Sequence, residues 1–487
     1  MSDHDTPKVS PALLFSRLRS SPRRLQAWLR AHQDENIARG QLWLGRAIVW
    51  LAAVAVGFVA VIFAIMTDDA THFFITNARE YPWLPFVLMP VAGAGLLWLT
   101  RRYFVGAEGS GIPQVIAEMN RPPDMPWRPL VSLRIAAGKI LVGVSAVGAG
   151  FSFGREGPTV QIGAALMASI GRFLPAGLQV QQRHLLVAGG AAGIAAAFNA
   201  PLAGIIFAIK ELSRGIETRM SGMVITAIVL SGVVAQAWLG NKNYFGQVPV
   251  IGEASEILHT ILVCAVVTGI AGGLFARMLL ISASGWRGRL GDFRRDHPYR
   301  FAAACGIFLA VLGYATGGLT YSSGYEETRN LLSRNEEMPW HFGPAKFVAT
   351  VISYLSGLPG GIFAPSLAIG AGIGQDLMPL LYQDAFPTTV LILCMVGFLA
   401  AATQAPITSF IIVMEMVDGY SLVIGMMAAA LLASGISRMI SRPLYPTLAE
   451  IMVERQRIAA QPQPEEPPTP PPVDAAAPPA DTPPAKP

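Results

Sequence analysis

Long apolar runs follow one another along the chain, and they predict helices that cross a membrane. The first covers residues 42–66, and the others are residues 84–100, 131–151, 221–239, 256–283, 301–318 and 421–440. A hydrocarbon core roughly 30 Å thick requires about 17–25 predominantly apolar residues in a helix. The pattern therefore predicts an all-α protein that crosses a membrane several times.

Shorter apolar pieces lie between these runs, and Gly or Pro interrupts or bounds most of them. They cover residues 160–170, 185–198, 201–209, 361–374 and 405–414. Such short segments do not cross a bilayer as straight helices. A membrane tolerates broken backbone only where protein buries it or where it lines a cavity. We expect broken and re-entrant helices in these places.

Composition supports the membrane assignment and excludes two other classes of protein. The 487 residues are 52% hydrophobic and only 14% charged, with a mean hydropathy of +0.46. Average soluble domains carry about 25% charged residues, and disordered chains have far less apolar content. The cysteines (Cys264, Cys305 and Cys394) lie inside apolar runs without metal-ligand spacing, so we expect neither a metal site nor a cofactor.

Basic residues are concentrated at the two ends of the chain, which argues against a nucleic-acid partner despite a net charge of +5. Residues 1–46 contain eight Lys and Arg residues. Arg438 lies at the end of the last apolar run, and Arg442, Arg455 and Arg457 follow it. Under the positive-inside rule, basic flanks lie in the cytoplasm. We therefore expect both termini to be cytoplasmic.

Two terminal segments are predicted to flank a membrane domain of residues 43–455. In the basic segment of residues 1–42, leucines stand among arginines, so either an interfacial amphipathic helix or a plain basic leader fits. The segment of residues 456–487 includes the Pro-rich stretch 461–487, which has twelve prolines and no aromatic residue. This composition predicts a disordered cytoplasmic tail.

An internal repeat organises the membrane domain. When residues 139–164 are aligned with residues 346–371 at an offset of 207, eight of the 26 positions are identical without a gap. Two further pairs of segments match at similar offsets: residues 199–201 with 404–406, and residues 110–111 with 323–324. The repeat predicts two homologous halves, residues 43–240 and 256–440.

Three Gly-containing loops place a proline in the first turn of a predicted helix, at residues 109–113, 154–158 and 360–365. The first N–H groups of a helix lack partners and carry the positive end of the helix dipole. If the two halves have inverted topology, these helix starts converge near the middle of the membrane. Such a point binds an anion without a full cation, and weakly enough to release it.

The same segments resemble the signature motifs of the CLC family of chloride channels and transporters. GSGIPQ (109–114), GREGP (154–158), GGIFAPSLAIG (360–370) and RPLYP (442–446) occur in the family's order and spacing. The resemblance implies two inverted-topology repeats of tilted, broken and re-entrant helices, and a homodimer with one anion pathway per subunit. The resemblance is to family members that lack CBS domains, since only the Pro-rich tail follows Arg457.

The resemblance also implies a chloride site made by hydroxyl and backbone donors together with the GREGP loop: Ser110, Arg155, Glu156, Gly157, Ile362, Phe363 and Tyr445. The implied direct contacts are the two hydroxyls and the N–H groups of Ile362 and Phe363. Hydroxyls are neutral donors, which suits an ion that must leave again. Taken alone, Ser110 is typical of a turn and Tyr445 of a membrane interface.

Glu156 is the strongest candidate for a gate, because an ionisable residue in an apolar segment points to function. Beside an anion site, its carboxylate competes with chloride when ionised and swings aside when protonated. One side chain then gates chloride and carries a proton, and the family resemblance implies the same external gating role. A salt bridge to Arg155 is the alternative that the sequence leaves open.

Glu211 and Lys139 are the remaining candidates. Glu211 aligns with the internal proton-transfer glutamate of the family's exchangers, although alone it is typical of an ordinary interfacial charge. Lys210 stands beside it, where close relatives often have an acid. Lys139 lies at membrane depth, where a lysine pairs with a carboxylate or gives electrostatic support to an anion path.

Together these features predict a chloride/proton antiporter in a bacterial inner membrane, with chloride, protons and membrane lipid as partners. A passive chloride channel of the same fold, gated by voltage or pH, is the alternative. A fluoride or nitrate transporter is disfavoured because the serine of GSGIP is intact. No nucleophile–base pair, metal cluster or nucleotide loop stands out in the sequence, so an enzyme is not expected.

Overall fold

The computed structural model describes residues 22–123, 125–175, 180–213, 221–240, 244–246, 257–286, 288–333, 336–381 and 387–461, and this part of the chain is predominantly helical. It contains 18 α-helices. In chain order they are α1 (Pro22–Glu80), α2 (Leu84–Tyr103), α3 (Ile112–Met119), α4 (Leu133–Gly148), α5 (Glu156–Ser169), α6 (Gln182–Phe198), α7 (Pro201–Phe207), α8 (Ser221–Leu239), α9 (Leu258–Ser284), α10 (Arg289–Asp296), α11 (Pro298–Ala315), α12 (Tyr325–Ser333), α13 (Phe342–Leu355), α14 (Phe363–Leu381), α15 (Pro387–Thr403), α16 (Pro406–Val417), α17 (Val423–Ile440) and α18 (Leu444–Ala460).

Long and short helices occur together, as the apolar pattern predicts, but the predicted spanning run 131–151 forms the 16-residue helix α4, which is too short to count among the spanning helices. Six of the described helices are long and apolar enough to cross a membrane: Arg39–Glu80 of α1, Gly222–Leu239 of α8, Tyr420–Ile440, which includes α17, and all of α2, α9 and α11. Between them lie short apolar helices, among them α13, α15 and α16. The predicted class, an all-α polytopic membrane protein with broken helices, is confirmed.

The centre of the molecule is formed by α6 and α15, which are buried along almost their whole lengths. Helix α5 packs along α6, and α14 packs along α15. A helix that is apolar all round is stable only when protein or lipid surrounds it. The two helices that begin at the GREGP and GGIFAP loops are therefore held against a buried core.

Equivalent residues of the two halves face each other across this core. Gly154 and Gly361, which the repeat alignment matches, form an antiparallel bridge in which each N–H donates to the other's carbonyl over 2.8 Å. Reciprocal bonding of equivalent residues is the arrangement that a local twofold axis produces. The inverted arrangement of the predicted fold is thus visible in the backbone, while the boundaries 43–240 and 256–440 stay predictions.

The matched lysines make equivalent contacts. Lys139 donates from Nζ to the carbonyls of Ala107 and Gly109, over 2.6 and 2.7 Å. Its counterpart, Lys346, donates to three successive carbonyls: Thr320, Tyr321 and Ser322. Residues 107 and 109 correspond to residues 320 and 322 at the offset of 213 that pairs the two Ser-Gly segments. Each lysine therefore secures the corresponding loop of its own half.

The first helix extends beyond its apolar run at both ends, from Pro22 to Glu80. Hydropathy marks only the stretch that lies in lipid, whereas residues 67–80 contain neither Gly nor Pro and continue the helix. Tyr81 precedes Pro82, which disfavours a helical backbone at that position. Residues 1–21 of the predicted N-terminal segment and residues 462–487 of the predicted tail lie outside the described residues.

Candidate functional site

Backbone hydrogen bonds join the three Gly-containing loops. The bridge between Gly154 and Gly361 connects the start of α5 to the start of α14. Gly109 joins them, because its N–H donates to the Leu358 carbonyl over 3.3 Å and its carbonyl accepts from the Gly360 N–H over 3.1 Å. The starts of α3, α5 and α14 therefore meet in the interior of the molecule.

Two hydroxyl groups lie close together at this meeting point. Ser110 precedes α3 and is 2% exposed, and Tyr445 lies in the first turn of α18 and is 3% exposed. The hydroxyls are near enough to interact electrostatically, yet neither makes a hydrogen bond within the described part of the chain. Buried polar groups are nearly always hydrogen-bonded, so this pair is suited to a polar ligand.

The start of α14 adds backbone donors beside the hydroxyls. Ile362 and Phe363 are buried there, and the Ile362 carbonyl accepts the Ser366 N–H over 2.9 Å, which places Ile362 at the helix cap. The Phe363 ring stacks on the Tyr445 ring at 6.1 Å between centroids. The first N–H groups of a helix have no intrahelical acceptors and attract anions. All these donors are neutral.

Gly157 permits the close packing of α5 against the loop that carries Ser110. A Cβ atom at position 157 would overlap the Ser110 hydroxyl and lie 2.9 Å from the Ser110 carbonyl oxygen. Gly157 lies beside the hydroxyl pair. The position requires a glycine, because any side chain there would displace Ser110.

The Glu156 side chain lies at two helix starts at once. It is the first residue of α5 and is fully buried. Its Oε1 accepts a hydrogen bond from the Tyr244 hydroxyl over 3.2 Å, while Oε2 has no hydrogen-bond partner among the described residues. The backbone N–H groups of Glu156 itself and of Ala364 in α14 lie near the carboxylate. The carboxylate therefore occupies a position that favours an anion.

Arg155 does not pair with Glu156, so the salt bridge that the sequence leaves open is not formed. Its guanidinium bonds the Asp68 carboxylate over 2.6 Å and the Ala64 carbonyl over 3.1 Å, both on α1. It also lies over the Tyr244 ring, 5.8 Å from the ring centroid. A continuous series of contacts thus runs from Asp68 through Arg155 and Tyr244 to Glu156. We call these four residues the gate array.

Glu211 lies on a π-helical turn, Ala208–Leu212, which follows α7. Its Oε1 accepts a hydrogen bond from the Thr408 hydroxyl in the first turn of α16, over 3.0 Å. Both Glu211 and Glu156 act electrostatically on the Tyr445 hydroxyl. The two candidate glutamates are thus on different helices, and both lie near the same tyrosine.

Lys139 contacts the loop ahead of Ser110 through backbone carbonyls. The sequence allows either a pairing of Lys139 with a carboxylate or electrostatic support of the anion path. In the structure the positive charge of Lys139 lies next to this loop, and Glu108 is the charged residue near it. A buried ammonium that donates to two carbonyls fixes the path of the backbone between them. Lys139 is therefore positioned to orient the Ser110 loop.

Sequence reasoning missed three polar side chains that contact the candidate residues: Asp68, Tyr244 and Thr408. Asp68 stands just after the first apolar run, where a charge is ordinary. Tyr244 lies in a connection without hydropathy pattern, and Thr408 lies within an apolar segment. Among the described residues, no group of three or more His, Cys, Asp or Glu side chains is placed to hold a metal ion.

Comparison with known proteins gives consistent matches over most of the chain. A family model described as voltage gated chloride channel matches residues 92–438. The H(+)/Cl(-) exchange transporter ClcA of Cronobacter sakazakii (strain ATCC BAA-894) is 31% identical over 423 residues, which cover 80% of this chain and 85% of that protein. ClcA of Vibrio parahaemolyticus serotype O3:K6 (strain RIMD 2210633) is 30% identical over 450 residues, covering 86% and 92% respectively.

Two solved structures share the fold. A slow cyanobacterial Cl-/H+ antiporter superposes with a TM-score of 0.73 at 24% identity, covering 84% of this chain and 99% of that one. A CLC-type fluoride/proton antiporter superposes with a TM-score of 0.69 at 22% identity, covering 83% and 98%. At this level of identity, the likeness establishes the architecture of the helices.

Proposed function

The chain belongs to the voltage-gated chloride channel family, CLC, and from that membership we propose that it moves chloride across a membrane in exchange for protons. Relatives that are 31% and 30% identical are named H(+)/Cl(-) exchange transporters. The observation that carries the proposal is the buried Glu156 carboxylate, which lies at the starts of α5 and α14. Reconstitution in vesicles, with chloride and pH recorded together, tests it.

In this proposal the chloride ion is held by four neutral donors: the hydroxyls of Ser110 and Tyr445 and the N–H groups of Ile362 and Phe363. Neither buried hydroxyl has a hydrogen-bond partner among the residues that the structure describes, which supports it. Arg155 and Gly157 contribute indirectly, since Arg155 is engaged with Asp68 and Gly157 makes room for Ser110. Neutral donors bind an anion less tightly than a buried guanidinium would, which favours release.

Glu156 acts as the external gate and proton carrier. When ionised, its carboxylate lies near the Ala364 N–H, next to the donors that chloride would use, and so competes with the ion. Protonation removes the charge that the helix starts attract, and the side chain is then free to move aside. Chloride entry and proton uptake are thereby coupled through a single carboxyl group.

Glu211 supplies protons from the other side. Its carboxylate is held by Thr408 on α16, away from the Glu156 carboxylate but acting on the same Tyr445 hydroxyl. A proton that passes between the two glutamates therefore crosses the region of the anion site. Lys139 orients the Ser110 loop and adds positive potential there.

The remaining parts of the proposal concern assembly and location. The chain is an integral membrane protein, and we place it in a bacterial inner membrane as a homodimer in contact with lipid, with one pathway per subunit. Basic flanks at both ends favour cytoplasmic termini. The proposed parts are a basic segment at 1–42, a transport domain at 43–455 with halves 43–240 and 256–440, and a Pro-rich tail at 456–487.

Removing one hydroxyl from the chloride site should weaken chloride binding without disturbing the fold. Tyr445→Phe keeps the ring that stacks on Phe363 and leaves the other three donors. A hydrogen bond has a net contribution of about 0.5–1.5 kcal/mol, so we expect a roughly three- to tenfold weaker chloride affinity. Titration calorimetry on the purified protein measures it.

The matched control is Tyr321→Phe, a buried tyrosine of another cluster whose hydroxyl donates only a long bond of 3.5 Å to the Ala310 carbonyl. Its chloride affinity should equal that of the wild type. An unchanged affinity in Tyr445→Phe would remove this hydroxyl from the site.

Tyr244→Phe tests the contact that holds the gate. The substitution deletes the donor to Glu156 Oε1 but keeps the ring beneath Arg155. The hydroxyl favours the ionised, closed carboxylate, so without it Glu156 takes up a proton at higher pH. The pH at which chloride flux falls to half should therefore rise by about one to two units, since a hydrogen bond to a charged group contributes about 1.5–3 kcal/mol and one pKa unit corresponds to about 1.36 kcal/mol.

Flux measured over a pH series gives this midpoint. Tyr325→Phe is the control, because Tyr325 donates to the Tyr244 carbonyl over 2.8 Å and supports the same segment without contacting Glu156. An equal shift in both variants would mean that loosening of the segment, rather than loss of the donor, explains the result.

A further inference from the structure

A cavity of about 680 Å³, to which no residue of the gate array contributes, is lined by four arginines: Arg101, Arg128, Arg294 and Arg455. Gly106 and Glu108, from the loop ahead of Ser110, also line it. It lies between the end of α2, helix α10, the end of α18 and the loop that precedes α4. Trp127 and Met452 contribute apolar surface to the wall. Its size falls in the range of ligand pockets, about 300–1,000 Å³.

The positive charge in this cavity is largely uncompensated. Within the described part of the chain, none of the four arginines forms a salt bridge with a carboxylate. Among the lining residues, Glu108 is the one acidic side chain, and its Oε2 accepts the Gly106 N–H over 2.8 Å. Burial lowers the pKa of the Arg294 guanidinium; Cys305 and Tyr354 act in the opposite direction, and repulsion from the nearby charges of Arg455 and Arg101 lowers it. An anion in the cavity would relieve this repulsion.

The walls are fixed by hydrogen bonds. Arg294 donates from one guanidinium nitrogen to the Ser282 carbonyl and hydroxyl, over 2.7 and 3.1 Å, and Arg455 donates to the Ala283 carbonyl, so each keeps other N–H donors for a ligand. The Gln456 side-chain amide both donates to the Arg128 carbonyl and accepts the Arg128 N–H, each over 2.9 Å. On either side of Arg128 in the loop, Glu118 accepts from the Trp127 indole over 3.0 Å and from the Leu130 N–H over 2.7 Å. A preformed pocket loses little entropy when it binds a ligand.

The cavity lies at the level of the membrane surface. Arg101 belongs to the last turn of α2, where Trp98 and Tyr103 are 49% and 46% exposed and contact each other edge to face at 5.8 Å. Exposed Trp and Tyr beside arginines are typical of the interface between hydrocarbon and water. Basic pockets between helices at this depth are suited to phosphate head groups.

We propose that this cavity is a binding site for a phosphate-bearing anion. Guanidinium groups recognise phosphate oxygens through paired N–H donors, and several can share one phosphate. A chloride ion is too small to contact arginines spread around a cavity of this size. The source of the phosphate is either the head group of an anionic lipid or a soluble phosphate compound, which present the same chemistry to the arginines.

Binding of inorganic pyrophosphate to the detergent-solubilised full chain tests the site. Wild type should bind it saturably, and Arg294→Gln should bind roughly tenfold to a hundredfold more weakly, as expected for a charged hydrogen bond. The matched control is Arg295→Gln, on the same helix, because Arg295 is paired with Asp292 and Asp296 and does not line the cavity. Its affinity should be that of the wild type.

Arg101→Gln is the second variant, since Arg101 is exposed and its loss does not disturb the contacts of Arg294 with Ser282. It should weaken binding as well. Absence of saturable binding by the wild type, or an equal loss in Arg295→Gln, would overturn the proposal. The assay involves no transport, so its outcome is independent of the proposed exchange activity.

Repeating the titration with phosphatidylglycerol in the micelles distinguishes the two sources. If the lipid weakens pyrophosphate binding to the wild type, an anionic lipid head group competes for the site. If it has no effect, the site takes a soluble phosphate. Both results support a phosphate site, provided that Arg294→Gln and Arg101→Gln still weaken pyrophosphate binding.

Discussion

Replacing Glu156 with glutamine is expected to abolish proton transport and to make chloride flux independent of pH. The amide has the size of the carboxyl group but is never ionised, so it represents the protonated gate at every pH. Because Glu156 lies at the starts of α5 and α14, no charged group then competes with chloride there. Flux and proton movement, recorded together in vesicles over a pH series, should show uncoupled chloride movement.

Glu415→Gln is a suitable control for this experiment. Glu415 is a partly buried carboxylate of the other half, which accepts the N–H groups of Leu202 and Ala203 over 3.2 and 2.6 Å. Glutamine keeps one of these two acceptors and leaves Glu156 unchanged, so coupling and pH dependence should persist. Survival of pH-dependent chloride flux in Glu156→Gln would show that another group is the gate.

Glu211→Gln is expected to abolish proton transport as well, but to leave chloride flux dependent on pH. Glu211 contacts Thr408 of α16 and is not part of the gate array, so its loss interrupts the proton branch alone. The Glu156 carboxyl still titrates and still opens or closes the anion path. The two glutamine variants should therefore share one defect and differ in the other.

Lys210→Gln is the matched control, since Lys210 is the neighbouring residue on the same π-helical turn and is exposed. It should retain proton transport. A passive channel has no proton branch, so on that alternative Glu211→Gln would behave like the wild type. Proton pumping that persists in Glu211→Gln would exclude Glu211 from the route.

The helical pattern and the repeat made the centre of the molecule predictable. Apolar runs locate the spanning helices because lipid selects them directly. The offset of 207 pairs Gly154 with Gly361, and these two residues are hydrogen-bonded to each other. Periodicity and repetition are properties of one chain, so the sequence alone reveals them.

The contacts that complete the gate array were not predictable in the same way. Tyr244 reaches Glu156 across 88 positions of sequence, and Arg155 reaches Asp68 across 87. Neither separation corresponds to a repeat or to the period of a helix. Arg155 and Glu156 are adjacent in sequence, which suggested a pair. The helix start instead directs Arg155 toward α1 and leaves Glu156 with Tyr244.

The cavity lined by arginines was not predictable from the sequence either, because its residues are also far apart along the chain. Arg101, Arg128, Arg294 and Arg455 come from four distant parts of the chain. In the sequence each is one more basic residue near the end of an apolar run, where the positive-inside rule explains it. Only the folded arrangement shows that they share one cavity, in which Glu108 is the one acidic side chain among the described lining residues.

Simultaneous recording of chloride and pH outside chloride-loaded vesicles tests the central claim most directly. The purified protein is reconstituted, the vesicles are diluted into low-chloride medium at equal pH, and potassium with valinomycin clamps the voltage. We predict that chloride leaving the vesicles drives protons inward, so that the external pH rises and a protonophore reverses the change. Rapid chloride efflux without any change of external pH would contradict exchange and leave a passive channel.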